Sequence, residues 1–199
     1  MKLFKSFLLS FFILISFTTM AADGPLELVH KTADDVLAVL KSDDSIQQDK
    51  EKIYQLAEEK ILPNFDLDRI SMLVLGKAWR KINEDQQQQF KSEFKTMLLR
   101  TYAVALGKYK DQQIDFKPMR MEPTDKQATV KTQIIQDGAQ PISVDYTLAK
   151  KDDQWKVFDI VIEGVSLVTN YRSQFASEIK NNGIDSLISK LAEKNNKGD

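Results

Sequence analysis

Cysteine is absent from the 199 residues. That excludes disulfides, thiol catalysis and a lipid-modified cysteine anchor. Histidine occurs once, as His30. A zinc centre ordinarily draws on several His or Cys ligands, so no metal site is expected. A Ser-His-Asp triad would have to recruit the same His30, which is read instead as a surface or half-buried residue of the first helix. The seven glycines stand singly at the ends of elements, so there is no glycine-rich phosphate loop and no nucleophile elbow. No cofactor is expected. Neither sign of charge dominates: 28 basic side chains face 29 acidic ones, which gives no electrostatic reason to expect nucleic acid as a partner.

An apolar run long enough to span a bilayer, about 20 residues, is also missing. The longest run, residues 7–17, follows Lys2 and Lys5 and gives way to Thr19-Met20-Ala21-Ala22. That is the layout of a cleavable secretory signal. Residues 1–21 are expected to be removed, with the cut after Ala21 and a cut after Ala22 as the alternative. A retained anchor is disfavoured by the shortness of the run. Loss of Lys2 and Lys5 takes the net charge from −1 to −3. A mildly acidic surface is not drawn to anionic membranes, so contact with a membrane is expected to run through protein partners.

Apolar residues make up 42% of the chain, enough for a core, and their spacing orders the rest. Leu28, Val29, Ala33, Val36, Leu37 and Leu40 form one helical stripe behind Pro25, which suits a first turn. A second helix is predicted over 49–62, stopped by Pro63, and a short one from Asp66 to the break at Gly76. Asn83 and Gln86 have the spacing of a capping box. They open the longest helix, whose stripe runs through Phe90, Phe94 and Met97 to Tyr109.

The period then changes to two. Ile114 and Phe116 alternate, then Met119 and Met121 beyond an interruption at Pro118, which points to a sheet edge or bulge. Val130, Thr132 and Ile134 alternate next, then Ile142, Val144, Tyr146 and Leu148, and finally the stretch 155–162. Helix returns over 166–180, and a last short helix holds Leu187, Ile188 and Leu191. Residues 193–199 are polar and read as a frayed tail. The expectation is α+β: a curved four-stranded antiparallel sheet wrapped by helices, in one domain over 22–199.

Asp159 is the one residue that supports an enzymatic reading, as a carboxylate within the apolar stretch Val157-Phe158-Asp159-Ile160-Val161. Apolar surroundings raise a carboxyl pKa and suit a general base. The competing reading, favoured because buried charges are normally paired, is that backbone donors or an arginine engage it, or that it faces solvent. A purely structural or chaperone-like role is the remaining alternative.

Particular strings narrow this. Leu62-Pro63, Leu73-Val74-Leu75-Gly76, Phe158-Asp159-Ile160, Glu163-Gly164-Val165-Ser166 and Asn182-Gly183-Ile184-Asp185-Ser186-Leu187 follow one another along the chain. Their order and spacing resemble the MlaC family, also known as toluene-tolerance auxiliary proteins. The resemblance implies a nuclear-transport-factor-like fold with a deep apolar cavity and no enzymatic activity. It implies a soluble periplasmic phospholipid carrier that maintains the lipid asymmetry of the outer membrane. The implied partners are a phospholipid, an outer-membrane lipoprotein complex, and an inner-membrane ABC-type transporter with its periplasmic substrate-binding subunit. On that footing Val74 and Leu75, before the break at Gly76, and Tyr102, on the long helix, are candidates to line the cavity. So are Phe158, Ile160 and Ile162, which alternation places on one sheet face, and Val165 and Val168, which follow that strand. A filled core and a cavity draw on the same residue types.

Overall fold

Pro25, at the first turn of α1 (Pro25–Ser42), fixes φ and gives up only an N–H that no helix would use. The computed structural model describes residues 24–197 apart from 110 and 123; the expected signal segment lies outside the described residues. After α1 come the single turn α2 (Ser45–Gln48) and α3 (Lys50–Leu56), whose cap Asp49 accepts from the Glu51 and Lys52 N–H groups. The helix expected over 49–62 stays α-helical only to Leu56. It widens into a π turn over Ala57–Ile61 and tightens into a 3-10 turn over Leu62–Asn64. Pro63 is the cause: its ring would strike the carbonyl four residues back in an unbroken helix.

Asp66 caps α4 (Leu67–Leu75) by accepting from the Arg69 N–H at 3.1 Å, and Gly76, at φ +54°, ends it. The capping box at Asn83 and Gln86 is present and opens α5 (Glu84–Tyr102). α5 stops at Tyr102, and a 3-10 turn over Ala103–Lys108 replaces the continuous helix expected to Tyr109.

The sheet is an antiparallel meander: β1 (Gln113–Phe116), β2 (Gln127–Ile135), β3 (Ile142–Lys151), β4 (Gln154–Ile162) and β5 (Val165–Ser166), in that spatial order. Strand pairing ends before Pro118, which has no N–H to offer, so Met119 and Met121 lie in irregular chain and not in a strand. The fifth strand corrects the expected four. Glu163 and Gly164 both have positive φ, +49° and +80°, the backbone of a tight two-residue hairpin turn. The turn folds Val165 and Ser166 back onto Ile162 and Val161. Asp152 and Asp153, at +50° and +62°, turn β3 into β4 in the same way.

One register shift bends the sheet. Thr147 faces Asp159 and Leu148 faces Val157, so Phe158 is an extra residue in β4, a β-bulge. α1 packs its Val29 onto Ala128, Val130, Leu148, Trp155 and Val157. α4, α5 and the two helices after β5 form a second cluster around Phe90, Phe94, Tyr171 and Phe175; the Phe90–Phe175, Phe94–Tyr171 and Phe94–Phe175 rings meet edge-on at 5.4–5.8 Å. Phe65 packs against both clusters. The Asp66 N–H donates to the Val157 carbonyl at 2.9 Å and docks the start of α4 on β4. α6 (Leu167–Asn182) and α7 (Ile184–Lys197) close the fold. The expected frayed tail is helical as far as Lys197, because the buried Asn195 amide donates to the Glu93 carbonyl and carboxylate at 2.9 and 2.7 Å.

Candidate functional site

Cross-strand register sorts the inner face of the sheet into rows. Ala128, Leu148 and Val157 form one row, and all three are buried. Val130, Tyr146 and Ile160 form the next. Val130 is 0% exposed, yet Tyr146 and Ile160 keep accessible surface. In the third row Thr132 and Val144 are buried while Ile162 is half-buried. In these rows the core is therefore closed along β2 and keeps accessible surface only at Tyr146 and along β4 beyond the bulge.

Tyr146 shows what kind of surface this is. Burial pushes its phenol above the ordinary tyrosine pKa, so the side chain lies deep in the protein. Its hydroxyl has no hydrogen-bond partner among the described residues and is not sealed off. Tyr146 thus combines packing against the sheet cluster with surface that stays accessible. Ile160, directly across from it, is likewise half-buried.

The eight residues chosen from the sequence fall in different places. Val74 and Leu75 are buried within the helical cluster beside Phe90 and Phe94. Tyr102 is half-buried against that cluster, its hydroxyl 3.2 Å from the Tyr171 hydroxyl. Burial, and then this hydrogen bond, hold the Tyr171 phenol far above its ordinary pKa. Phe158 and Val168 pack on the same cluster. Ile160 belongs to the sheet cluster, and Ile162 is half-buried opposite Val144. Val165, on β5, is 55% exposed. Three residues of this region were not singled out: Tyr146, visible in sequence only as one of four alternating inward positions, Phe65, and Arg69, whose guanidinium carbon stands 3.8 Å over the Phe158 ring.

Asp159 faces the Thr147 side of the sheet, away from Tyr146 and Ile160. Its two oxygens accept from the Ser166 hydroxyl at 2.6 Å and the Val168 N–H at 3.1 Å. Of the favoured alternatives, an arginine, backbone donors or solvent, it is a backbone donor together with a hydroxyl that engages it, and the carboxylate serves the first turn of α6, where a negative charge complements the helix dipole. His30 is exposed, with Nδ1 2.9 Å from the Asp34 carboxylate and its ring 4.5 Å from that of Phe116. Among the described residues no group of three His, Asp or Glu side chains is placed to hold a metal, and no helix is long and apolar enough to cross a membrane. Two cavities open elsewhere. One of about 420 Å³ lies between Met119, Met121 and the start of β2. Another of about 200 Å³ lies between Met97, Arg100 and Asn195. Neither is lined by any of the eight.

Known proteins resemble this chain along most of its length. A family model described as "MlaC protein" matches residues 30–193. The Haemophilus influenzae protein named intermembrane phospholipid transport system binding protein MlaC is 27% identical over 198 residues, which cover 96% of this chain and 92% of that one. The Pseudomonas putida toluene tolerance protein ttg2D is 30% identical over 84% of this chain and 78% of its own length. Among solved structures, a phospholipid-binding protein from Ralstonia solanacearum, in complex with a phospholipid, superposes with a TM-score of 0.80 at 35% identity. The match covers 86% of this chain and 96% of that one.

Proposed function

The chain belongs to the MlaC protein family, and from that premise we propose that it carries a phospholipid, tails hidden, between two membranes. The observation that carries the reading is the superposition, over 86% of the chain at 35% identity, on a structure that holds a phospholipid; the half-buried Tyr146 and Ile160 on the inner sheet face suit contact with its tails. Each buried methylene contributes about 0.8 kcal/mol, so two acyl chains supply ample affinity without any elaborate polar site. The relative from Haemophilus is named for intermembrane phospholipid transport, and the Ralstonia structure holds a phospholipid; both support the assignment.

In this proposal the carrier works in the periplasm after loss of residues 1–21. It takes lipid from or delivers it to an outer-membrane lipoprotein complex, and exchanges it with an inner-membrane ABC-type transporter through that transporter's periplasmic substrate-binding subunit. It performs no catalysis; Asp159, the one base the sequence offered, has both oxygens engaged by Ser166 and Val168. The test is denaturing mass spectrometry of protein purified from the periplasmic fraction without detergent or added lipid. It should release about one diacyl phospholipid per chain and show a mature N-terminus at Ala22 or Asp23. Protein that emerges lipid-free from gentle purification, or that stays in the membrane with Met1 intact, overturns the proposal.

A further inference from the structure

Arg69 is a cation without a counter-charge at the edge of the apolar interior. Its guanidinium stacks on Phe158 at 3.8 Å, is half-buried, and makes no ion pair or hydrogen bond to any described residue. The acids beside it at the start of α4, and the one beside Phe158 in β4, are engaged by other groups. Asp66 takes Lys151 at 3.0 Å, and Asp68 takes Lys91 at 2.9 Å and Lys151 at 3.4 Å. Asp159, next to Phe158 in β4, takes Ser166 and Val168. A guanidinium is always charged and presents five donors in a planar fork. Lysines, a hydroxyl and a backbone amide hold all three acids.

Its place in the fold says what would complete it. Phe158, under the guanidinium, packs against the helical cluster, as does Phe65, which also packs against the sheet cluster that contains Tyr146 and Ile160. One face of the guanidinium is therefore covered by a ring of the apolar interior, and its donors have no partner among the described residues. A ligand matched to both sides has apolar tails and an oxyanion beside them.

We propose that Arg69 is the phosphate-binding residue of this carrier, gripping the phosphodiester of the lipid whose tails occupy the interior. The proposal rests on the lipid-carrier reading. It makes the recognised feature the phosphate, common to all phospholipids, and leaves the variable headgroup beyond it in water. Inorganic phosphate shares this chemistry and is the other possible source of the anion.

The test titrates delipidated protein with dioleoylphosphatidylglycerol, with dioleoylglycerol, which has the same tails and no phosphate, and with inorganic phosphate alone. Arg69→Gln should weaken phosphatidylglycerol binding about ten- to hundredfold, as expected for a lost charge-assisted hydrogen bond, and leave dioleoylglycerol binding unchanged. Arg80→Gln, which removes the same charge at an exposed position, should change neither. Melting curves identify a variant that fails to fold. In that case Arg69→Lys, which keeps the charge and the stem over Phe158 but loses the planar fork, carries the test with an expected several-fold loss for phosphatidylglycerol alone. Unchanged phosphatidylglycerol affinity, or an equal loss for both lipids, overturns the proposal. So does Arg69-dependent binding of inorganic phosphate by a protein that does not distinguish the two lipids. Wild-type protein that binds neither lipid defeats the carrier reading itself, a result distinct from all of these.

Discussion

Replacing Ile160 by asparagine, beside the same change at Val130, tests whether the interior is open at Ile160. The two residues lie in one cross-strand row, separated only by Tyr146. Val130 is 0% exposed, so its asparagine loses about 1.5–3 kcal/mol of burial and leaves an unpaired amide worth another 1–3 kcal/mol or so. Together these come to roughly 3–6 kcal/mol. At about 2–4 °C per kcal/mol for a chain of this size, Val130→Asn should lower Tm by roughly 10 °C or more. Ile160 is only half-buried. If it borders a hollow, the new amide meets water there, and the loss is confined to part of the side chain's burial, about 1 kcal/mol and a few degrees. The lipid load, by contrast, should fall sharply, since the amide must be desolvated whenever tails enter. Differential scanning calorimetry of delipidated protein and mass spectrometry of the purified complex give the two readouts. An Ile160→Asn variant that melts as early as Val130→Asn, or that melts normally with a full lipid load, refutes the reasoning about the row.

Asp159→Ala removes two acceptors from the start of α6. It should cost about 1–2 kcal/mol, seen as a lower Tm with lipid load intact; an unchanged Tm contradicts the cap assignment. Asn195→Ala should destabilise by a similar 1–2 kcal/mol or so, because both amide bonds to Glu93 go, whereas a frayed tail would tolerate it freely in a denaturant titration. The hydrogen bond from Lys91, followed by the weaker pull of Lys151, holds the Asp68 carboxyl below its ordinary 3.8. A depressed carboxylate stabilises above its unfolded value and loses that stabilisation as pH falls through the folded one. Asp68 is exposed, so the effect lies within the 0–1 kcal/mol or so of surface pairs. Asp68→Asn should flatten the acid limb of Tm against pH below about 4 and leave neutral pH nearly unchanged; an unaltered acid limb counts against the pairing.

What the sequence makes legible here follows the range of each interaction. The capping box at Asn83 and Gln86, the stripe of α1 and the alternation of β2 and β3 are contacts between near neighbours, and all are present. β5 was hidden because two residues behind a turn are too few to show a period. The π and 3-10 turns before Phe65 leave the apolar spacing almost intact, so only Pro63 hinted at them. The last turns of α7 depend on Glu93, far away along the chain, and a polar segment gives no sign of such a clamp. The same holds for the site. Apolar runs mark Val74 and Ile160 alike, and only tertiary packing tells that one is sealed and the other keeps accessible surface. Arg69 reads as an ordinary charge in a helix until Phe158 is brought beneath it.

The extra residue in β4 has a consequence for how this strand tolerates change. Trp155 and Val157 lie on the inner face before the bulge, and Ile160 and Ile162 lie on it after. Strict alternation would send one pair outward, so the strand is read in two frames joined at Phe158. Removing Phe158 itself would restore strict alternation: both pairs would stay inward and only the bend would be lost. Adding or removing a residue elsewhere in the strand would turn one end inside out, with aromatic or aliphatic side chains in water. Length variation among working versions of this protein should therefore gather in the connections between strands and, within β4, be tolerated only at the bulge.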